Sequence, residues 1–423
     1  MPTKPNRSGQ QQNYVPQGNG DASGEYADEA TGSNVHFTSF KKPDEPTEEK
    51  KIEHFEKPQE DTDKYLGGSK TKSDFSATVF SKGMLKYGEE FENTFKRVIA
   101  NADETCIGVI NHSIMNHGIF FIKDKDENRC SYFKPQTKEI NIKADELARA
   151  YDEEGETVFH ELGHYLNEVN RIREDEKWYM TDNIMTSTHS YFDDKLSVAE
   201  TLQEELKEFA AAKHAASIRA EQRKYVNAKL KPHGFTAQEY EKLLDKGNDL
   251  IRTNAEWLDI KDNIKNDYMN GEITVDEANK RVQIALANWK KNGSYKDVFS
   301  KLDEQRPHYR KYMDEWTKVN GIKAVSDVWS SKSNFGFGYG HSRDYYKKSW
   351  MNPNPEERLA DELFANYFAA MTTHNQQVLE TTKKYFPKTC EKMVKLVEIL
   401  NDKKKKHDEM KEVIDKFQRG ETI

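Results

Sequence analysis

The chain has 423 residues, a net charge of −8, and 33% charged against 35% hydrophobic residues. This length allows two or three domains, and the high charged fraction indicates that part of the chain is disordered or forms long solvated helices. The acidic balance disfavours a nucleic-acid-binding groove, so we expect no nucleic-acid partner.

Targeting signals and a disulfide framework are also absent from the pattern. Three widely spaced cysteines, with no C-x-x-C pair, fit a reducing compartment. The first residues contain no apolar run, so we expect no secretory signal peptide. No stretch approaches the 18 apolar residues of a membrane span. We therefore expect a cytoplasmic protein without a membrane partner.

Residues 1–66 are polar and rich in Gln, Asn, Gly, Ser, Pro and Glu. This composition predicts a disordered N-terminal arm, because it offers too little apolar surface to bury. The arm is either a flexible tail or a docking segment that folds on a partner, with Phe37, Phe40 and Phe55 as anchors.

Residues 67–195 are predicted to form a small sheet and the helix that follows it. Order is expected to begin near Phe75, and residues 84–100 have the pattern of an amphipathic helix. Residues 124–128 have turn composition. Strand-like runs lie at residues 106–110, 118–122 and 139–143.

The helix that follows contains an H-E-x-x-H motif, with His160, Glu161 and His164. Residues four apart on a helix lie one turn apart on nearly the same face, so both imidazoles can reach one tetrahedral zinc ion. Glu161 is rotated by about 100° from His160 and can act as the general base on a zinc-activated water. An apolar stripe opposite the histidines indicates a buried helix, in which two histidines are hard to satisfy without a ligand.

Residues 196–320 are helical in pattern and highly charged, which predicts an all-helical insertion. Thr236 with Glu239 three residues later forms a capping-box signature. The insertion either only packs and solvates, or it recruits a substrate or partner. Its predicted helices lie at residues 197–230, 236–268, 274–292 and 298–320.

Residues 321–402 begin with a Gly/aromatic segment, residues 331–341, which predicts a shaped loop. A well-signalled helix follows, with Asn354 as its expected N-cap and Pro355 at its first position. Residues 378–401 predict a further helix. The remaining residues, 403–423, are expected to form a charged helix or tail.

A catalytic zinc needs a third protein ligand and an open position. The third ligand is not the His of H-E-x-x-H-x-x-G-x-x-H, because Asn170 stands at that position. A Glu on a later helix is the other common solution. Helical periodicity alone leaves Glu356, Glu357 and Glu362 open.

The sequence E-L-F-A-N-Y-F that starts at Glu362 resembles the E-x-F-A-x-x-F segment of gluzincin-type peptidases similar to anthrax lethal factor. The chain also resembles the zincin-like domain attached to phage minor head (MuF-type) proteins. It has S-D-V-W at residues 326–329 and G-H-x-x-x-Y-Y at residues 340–346, ahead of Glu362. The resemblance covers about residues 100–200 and 320–400. It does not extend to the portal-binding MuF domain of those proteins.

The resemblance implies an α+β, zincin-like metallopeptidase fold with a small mixed sheet, an active-site helix and a second helix that carries a ligand. His160, His164 and Glu362 would bind Zn²⁺. By analogy, the strand before the active-site helix would be the sheet edge along the cleft, where an extended peptide can add itself.

The resemblance also implies catalytic roles. Glu161 would be the general base, and Tyr345 or His341 would stabilise the oxyanion. Asn366 would hydrogen-bond a ligand histidine from one turn past the third ligand, where related chains have an acidic residue.

These observations predict a zinc metalloendopeptidase that hydrolyses peptide bonds of a protein substrate through a zinc-activated water. The resemblance makes it phage-encoded or phage-associated, located in the host cytoplasm or the virion. Virion proteins would contact the N-terminal arm or the insertion. The alternatives are a virion structural protein with a zincin-like fold, a delivered toxin or effector protease, and an amide hydrolase acting on peptidoglycan or another non-peptide substrate.

Overall fold

The computed structural model describes residues 70–81, 89–123, 131–142, 155–176, 179–333, 336–343, 345–348 and 354–419. The predicted N-terminal arm and the predicted turn at residues 124–128 lie outside these ranges. The described residues are mostly helical and include a small mixed three-stranded sheet, compatible with the α+β class. None of the helices in the described ranges has the length and apolar character needed to cross a membrane.

Three helices open the described chain: α1 (Lys70–Ser81), α2 (Glu89–Asn101) and α3 (Glu104–His117). The strand predicted at residues 106–110 is wrong, because this run lies inside α3. Asp103 caps α3 by accepting a hydrogen bond from the Cys106 N–H at 2.9 Å. The helix is buried around much of its circumference. A short continuous apolar run therefore did not distinguish a buried helix from a buried strand.

The sheet consists of β1 (Phe120–Lys123), β2 (Tyr132–Lys134) and β3 (Glu139–Ile142) in the order β1-β3-β2. Strand β3 is parallel to β1 and antiparallel to β2. The strands predicted at residues 118–122 and 139–143 are confirmed as β1 and β3. However, β3 is central among the described strands, so the last described strand before the H-E-x-x-H helix does not form the expected sheet edge.

The predicted H-E-x-x-H helix is present as α4 (Glu156–Val169). Gly155, with φ 82°, precedes it in a left-handed conformation. Its apolar side chains are fully buried against the sheet, α3 and a later helix. A two-stranded antiparallel hairpin follows, β4 (Ile172–Glu176) and β5 (Tyr179–Asn183).

Six helices make up the predicted insertion, because two predicted helices are each divided. Lys213, with φ 59°, interrupts the helix predicted at residues 197–230. Asn254 interrupts the second, since its side chain caps the next helix. The helices are α5 (Val198–Ala211), α6 (His214–Leu230), α7 (Ala237–Thr253), α8 (Ala255–Met269), α9 (Val275–Asn292) and α10 (Lys296–Val319).

The insertion has a hydrophobic core of its own. Helices α6 to α10 all contribute to this core, which includes the aromatic side chains of Tyr240, Trp257 and Trp289. Helix α5 instead buries its apolar face in the main core. The capping box of Thr236 and Glu239 at the start of α7 is confirmed.

The C-terminal helices are α11 (Lys323–Ser330), α12 (Pro355–Thr372), α13 (Gln376–Tyr385) and α14 (Pro387–Gln418). The single helix predicted at residues 378–401 is divided at Phe386, and α14 continues into the charged segment as a helix. The side chain of Asn354 makes no capping hydrogen bond at the start of α12. Cys106 and Cys390 are buried, free thiols.

Helices α4 and α12 cross at very short range. A Cβ atom added to Gly163 would lie 2.8 Å from the Cα atom of Ala365. Since real Cβ atoms do not approach so closely, glycine is required at this crossing. The close approach brings the beginning of α12 against the histidines of α4.

Candidate metal centre

Three side chains converge where α4 meets α12. The Nε2 atoms of His160 and His164 lie 3.1 Å apart. Glu362 Oε2 lies 3.5 Å from the first nitrogen and 3.4 Å from the second. In a tetrahedral zinc site with bonds of about 2.0–2.2 Å, ligand atoms lie about 3.3–3.6 Å apart. The triangle therefore fits a zinc ion within the usual tolerance of about 0.2 Å.

The hydrogen bonding of Glu362 supports the same interpretation. Its side chain is 2% exposed. Its Oε2 atom, although buried, has no hydrogen-bond partner among the described residues. A buried carboxylate oxygen without a donor is costly, and a cation is the partner that this oxygen lacks. Two imidazoles and one carboxylate are ligand types that suit zinc.

The orientation of His164 is fixed by a neighbour that the sequence analysis did not identify. His164 Nδ1 lies 2.8 Å from Asp361 Oδ2 and donates to this carboxylate, which directs the other ring nitrogen, Nε2, toward His160 and Glu362. Asn167 donates a hydrogen bond to the other Asp361 oxygen. The only signal in the sequence was an acidic residue directly before Glu362.

The predicted role of Asn366 is wrong. Its amide donates a hydrogen bond to Asp327 Oδ2 at 2.9 Å, and it contacts neither ligand histidine. The acidic partner of His164 lies one residue before Glu362, not one turn after it. The helix therefore presents Asp361 to α4 and Asn366 to α11.

His164 and Glu362, two of the three candidate ligand residues, shift each other's pKa. Burial alone would lower the pKa of His164, but the carboxylates of Asp361 and Glu362 outweigh it and raise that pKa well above the usual value. Burial alone would raise the pKa of Glu362, but His341 and His164 hold it well below the usual value. Glu362 is thus an anion that attracts cations to this point.

Glu161 lies beside the triangle and is not one of its corners. Burial raises the pKa of its carboxyl group, and the two histidines partly offset this effect. The Phe133 backbone also lowers the pKa of Glu161. Strand β2, an edge of the three-stranded sheet that the sequence analysis missed, packs against α4, since the ring of Phe133 meets that of Tyr165 edge-on with centroids 5.8 Å apart.

The structure brings Tyr345 and His341 to the same centre. The Tyr345 hydroxyl donates a hydrogen bond to Glu362 Oε1 at 2.6 Å. His341 Nδ1 lies 3.7 Å from Glu362 Oε2, and its ring stacks on Tyr345 with centroids 3.9 Å apart. Both predicted residues therefore contact the third ligand, and Tyr345 holds one oxygen of Glu362 so that the other faces the histidines.

A second group of metal-ligand types, formed by Asp327, His341 and Glu362, is also close together. Here the oxygens of Asp327 are already used. Oδ1 accepts hydrogen bonds from the His341 N–H at 2.9 Å and from the Tyr346 hydroxyl at 2.6 Å, and it lies 3.2 Å from His341 Nδ1. Asn366 donates to Oδ2. Asp327 is therefore a hydrogen-bond centre that orients the loop.

The Asp327 carboxylate also affects His341. Burial opposes the charged imidazole, but Glu362 and Asp327 raise the pKa of His341 to about 9. Gly340 has φ 101°, a backbone conformation that other residues rarely adopt. A Cβ atom added there would also lie 2.5 Å from Asp327 Oδ1, so the close approach of the loop to Asp327 requires glycine. The sequence contains Asp327 in the S-D-V-W motif, but nothing there indicated this role.

Two parts of the molecule hold the Gly/aromatic loop. Ser326 of α11 accepts hydrogen bonds from the N–H groups of Phe337 and Tyr339. Gln222 of α6 and Thr317 of α10 both donate to the Phe337 carbonyl oxygen. The loop that carries His341 is therefore fastened to the main core and to the insertion.

Comparison with known proteins identifies no relative: no family model, no curated protein and no solved structure matches this chain. The zincin resemblance thus depends on the motifs themselves. The geometry around His160, His164 and Glu362 is the observation that bears on it.

Proposed function

We propose that the chain is a zinc-dependent metallopeptidase of gluzincin type, with a zincin-like fold, that hydrolyses peptide bonds in a protein substrate. One observation carries the proposal. The buried, undonated Oε2 of Glu362 lies 3.4–3.5 Å from the Nε2 atoms of His160 and His164, at the spacing of zinc ligands.

Zinc held there would polarise a water molecule and stabilise negative charge on the substrate carbonyl oxygen. The protein supplies the proton transfers. Glu161 takes a proton from the water as its oxygen attacks the carbonyl carbon, and it gives that proton to the amine as the C–N bond breaks. Burial raises the pKa of Glu161, which makes its carboxylate a stronger base toward the water proton.

The intact Glu161 also argues for an enzyme over a virion structural protein with a structural zinc, because a structural site needs no general base. The protein class of the substrate and the association with phage rest on the motif resemblance. The same resemblance supports virion proteins as partners and the host cytoplasm or virion as the location. A delivered effector protease would use the same residues in the same roles.

Tyr345 has two roles that can be separated. Its hydroxyl orients Glu362, and it would have to exchange this carboxylate for the substrate oxygen in order to stabilise the oxyanion. Tyr345→Phe should therefore lower zinc affinity if orientation is the main role. It should lower kcat at full zinc occupancy if the oxyanion contact dominates.

The first test measures zinc content and peptide hydrolysis together. Wild type is expected to bind one zinc per chain, and His160→Ala and Glu362→Ala are expected to lose it. Glu161→Gln should keep the zinc and lose at least about 10²-fold in hydrolysis. Glu168→Gln, which changes a half-buried carboxylate of the same helix that pairs with Arg171 away from the triangle, is the matched control.

Two results would overturn the proposal. Hydrolysis that persists in zinc-loaded Glu161→Gln would remove the assigned base. Stable zinc binding without hydrolysis of any protein substrate by wild type would support a structural zinc site instead.

A further inference from the structure

Arg358, a cation for which the described residues provide no carboxylate partner, lies next to the candidate metal centre. Arg358 lies one helical turn before Glu362 on α12, so the two side chains lie on the same face. Its guanidinium lies over the ring of Tyr345, 4.5 Å from the ring centroid. The same tyrosine donates its hydroxyl to Glu362. The cation, the phenol and the ligand carboxylate thus form one continuous row.

The acidic residues nearby do not neutralise Arg358. Asp361 is engaged by His164 and Asn167. Within the described ranges, no carboxylate lies within ion-pair distance of the Arg358 guanidinium. Stacking on an aromatic face partly compensates the loss of water around the half-buried guanidinium of Arg358. The planar set of N–H donors on the guanidinium matches a carboxylate better.

We infer that Arg358 is a specificity-determining residue that binds a carboxylate of the substrate, within about two residues of the bond that is cleaved. The guanidinium lies over the face of the ring and the hydroxyl lies in the ring plane, so the guanidinium is within about 8 Å of Glu362 Oε1, which is the span of roughly two extended residues. The inference rests on the proposed peptidase function. The carboxylate belongs either to an Asp or Glu side chain or to the C-terminus of the peptide.

The test uses a library of proteome-derived peptides and the full-length, zinc-loaded protein, with mass spectrometry to locate every cleaved bond. Wild type is expected to cleave preferentially near Asp or Glu. Arg358→Gln should lose this enrichment while still cleaving peptides, and Arg358→Glu should shift it to Lys and Arg. Lys348→Gln, an exposed cation of the neighbouring loop, is the matched control and should behave as wild type.

A cleaved peptide then provides the quantitative measure. Replacing its acidic residue with the amide should lower kcat/KM about 10- to 100-fold for wild type and leave it unchanged for Arg358→Gln. Removal of single C-terminal residues would identify the terminal carboxylate as the group bound, whereas internal cleavage would identify the side chain. Zinc content of each variant verifies that the centre is intact.

The outcomes separate the two claims. Zinc-dependent cleavage by wild type without acidic enrichment overturns the role of Arg358 and leaves the peptidase intact. An enrichment that persists in both Arg358 variants has the same meaning. No cleavage by wild type, under conditions where zinc is bound, overturns the peptidase and the inference with it.

Discussion

Gly163→Ala should weaken zinc binding, although it changes no ligand. The added methyl group would lie 2.8 Å from the Cα atom of Ala365, and ordinary carbon contacts begin near 3.4 Å. The contact is with backbone, so it cannot be relieved by rotating a side chain. Helices α4 and α12 must therefore separate by about 0.6 Å at the crossing.

The magnitude follows from opposing effects. Overpacking costs about 1–3 kcal/mol, and replacing glycine with alanine inside a helix returns about 1 kcal/mol. We expect the free energy of unfolding to fall by about 0–2 kcal/mol. The proposed zinc site is less tolerant, because zinc–ligand distances must stay within about 0.2 Å of their usual values. His164 lies on α4 and Glu362 lies on α12. Separating the two helices therefore lengthens the distance between these two side chains, and zinc affinity should fall at least about tenfold.

A chelator competition titration measures zinc affinity, and urea unfolding measures stability. Gly247→Ala is the matched control. Its added methyl group would also approach an atom at 2.8 Å, but that atom is a side-chain methyl of Leu302 in the insertion, which can move. Unchanged zinc affinity in Gly163→Ala would refute the claim that the helix crossing sets the ligand spacing.

Three further predictions concern the groups around the centre. Asp361→Asn removes the charged acceptor from His164 Nδ1 and should lower zinc affinity about 10- to 100-fold by the same titration; an unchanged value would contradict the orienting role. The raised pKa of His164 means that zinc must displace a proton near neutral pH, so zinc affinity should rise with pH and a flat profile between pH 6 and 8 would argue against it. Lys323 Nζ lies 2.7 Å from the buried Glu156 carboxylate, and Lys323→Ala removes this cation. Urea unfolding should show a loss of about 3 kcal/mol in the free energy of unfolding, and adding Glu156→Gln should restore much of it.

The part of the site that lies within one helix was predictable from the sequence. The four-residue spacing of His160 and His164 follows from helix geometry and holds in the structure. The candidate third ligand was different, because α12 is buried on most faces, and its apolar pattern does not select one of its three glutamates. The motif resemblance selected Glu362, and the structure brings it to the histidines.

The residues that orient the ligands were not predictable, because their partners are far away in the chain. Asp361 and His164 are separated by 197 positions, and Asn366 and Asp327 by 39. Which helix face meets which neighbour depends on tertiary packing, which a periodicity does not contain. Strand β2 was missed for another reason, since three residues are too few to establish an alternating pattern.

The two hydrogen-bonded backbone groups of Phe337 have a consequence for how this protein can vary. Its N–H is bound by Ser326, and its carbonyl oxygen is bound by Gln222 and Thr317 from two helices of the insertion. A loss at one of these positions leaves a buried donor or acceptor unsatisfied. We therefore expect homologues to change positions 222, 317 and 326 in concert, so that the helical insertion and the Gly/aromatic loop are inherited as one unit.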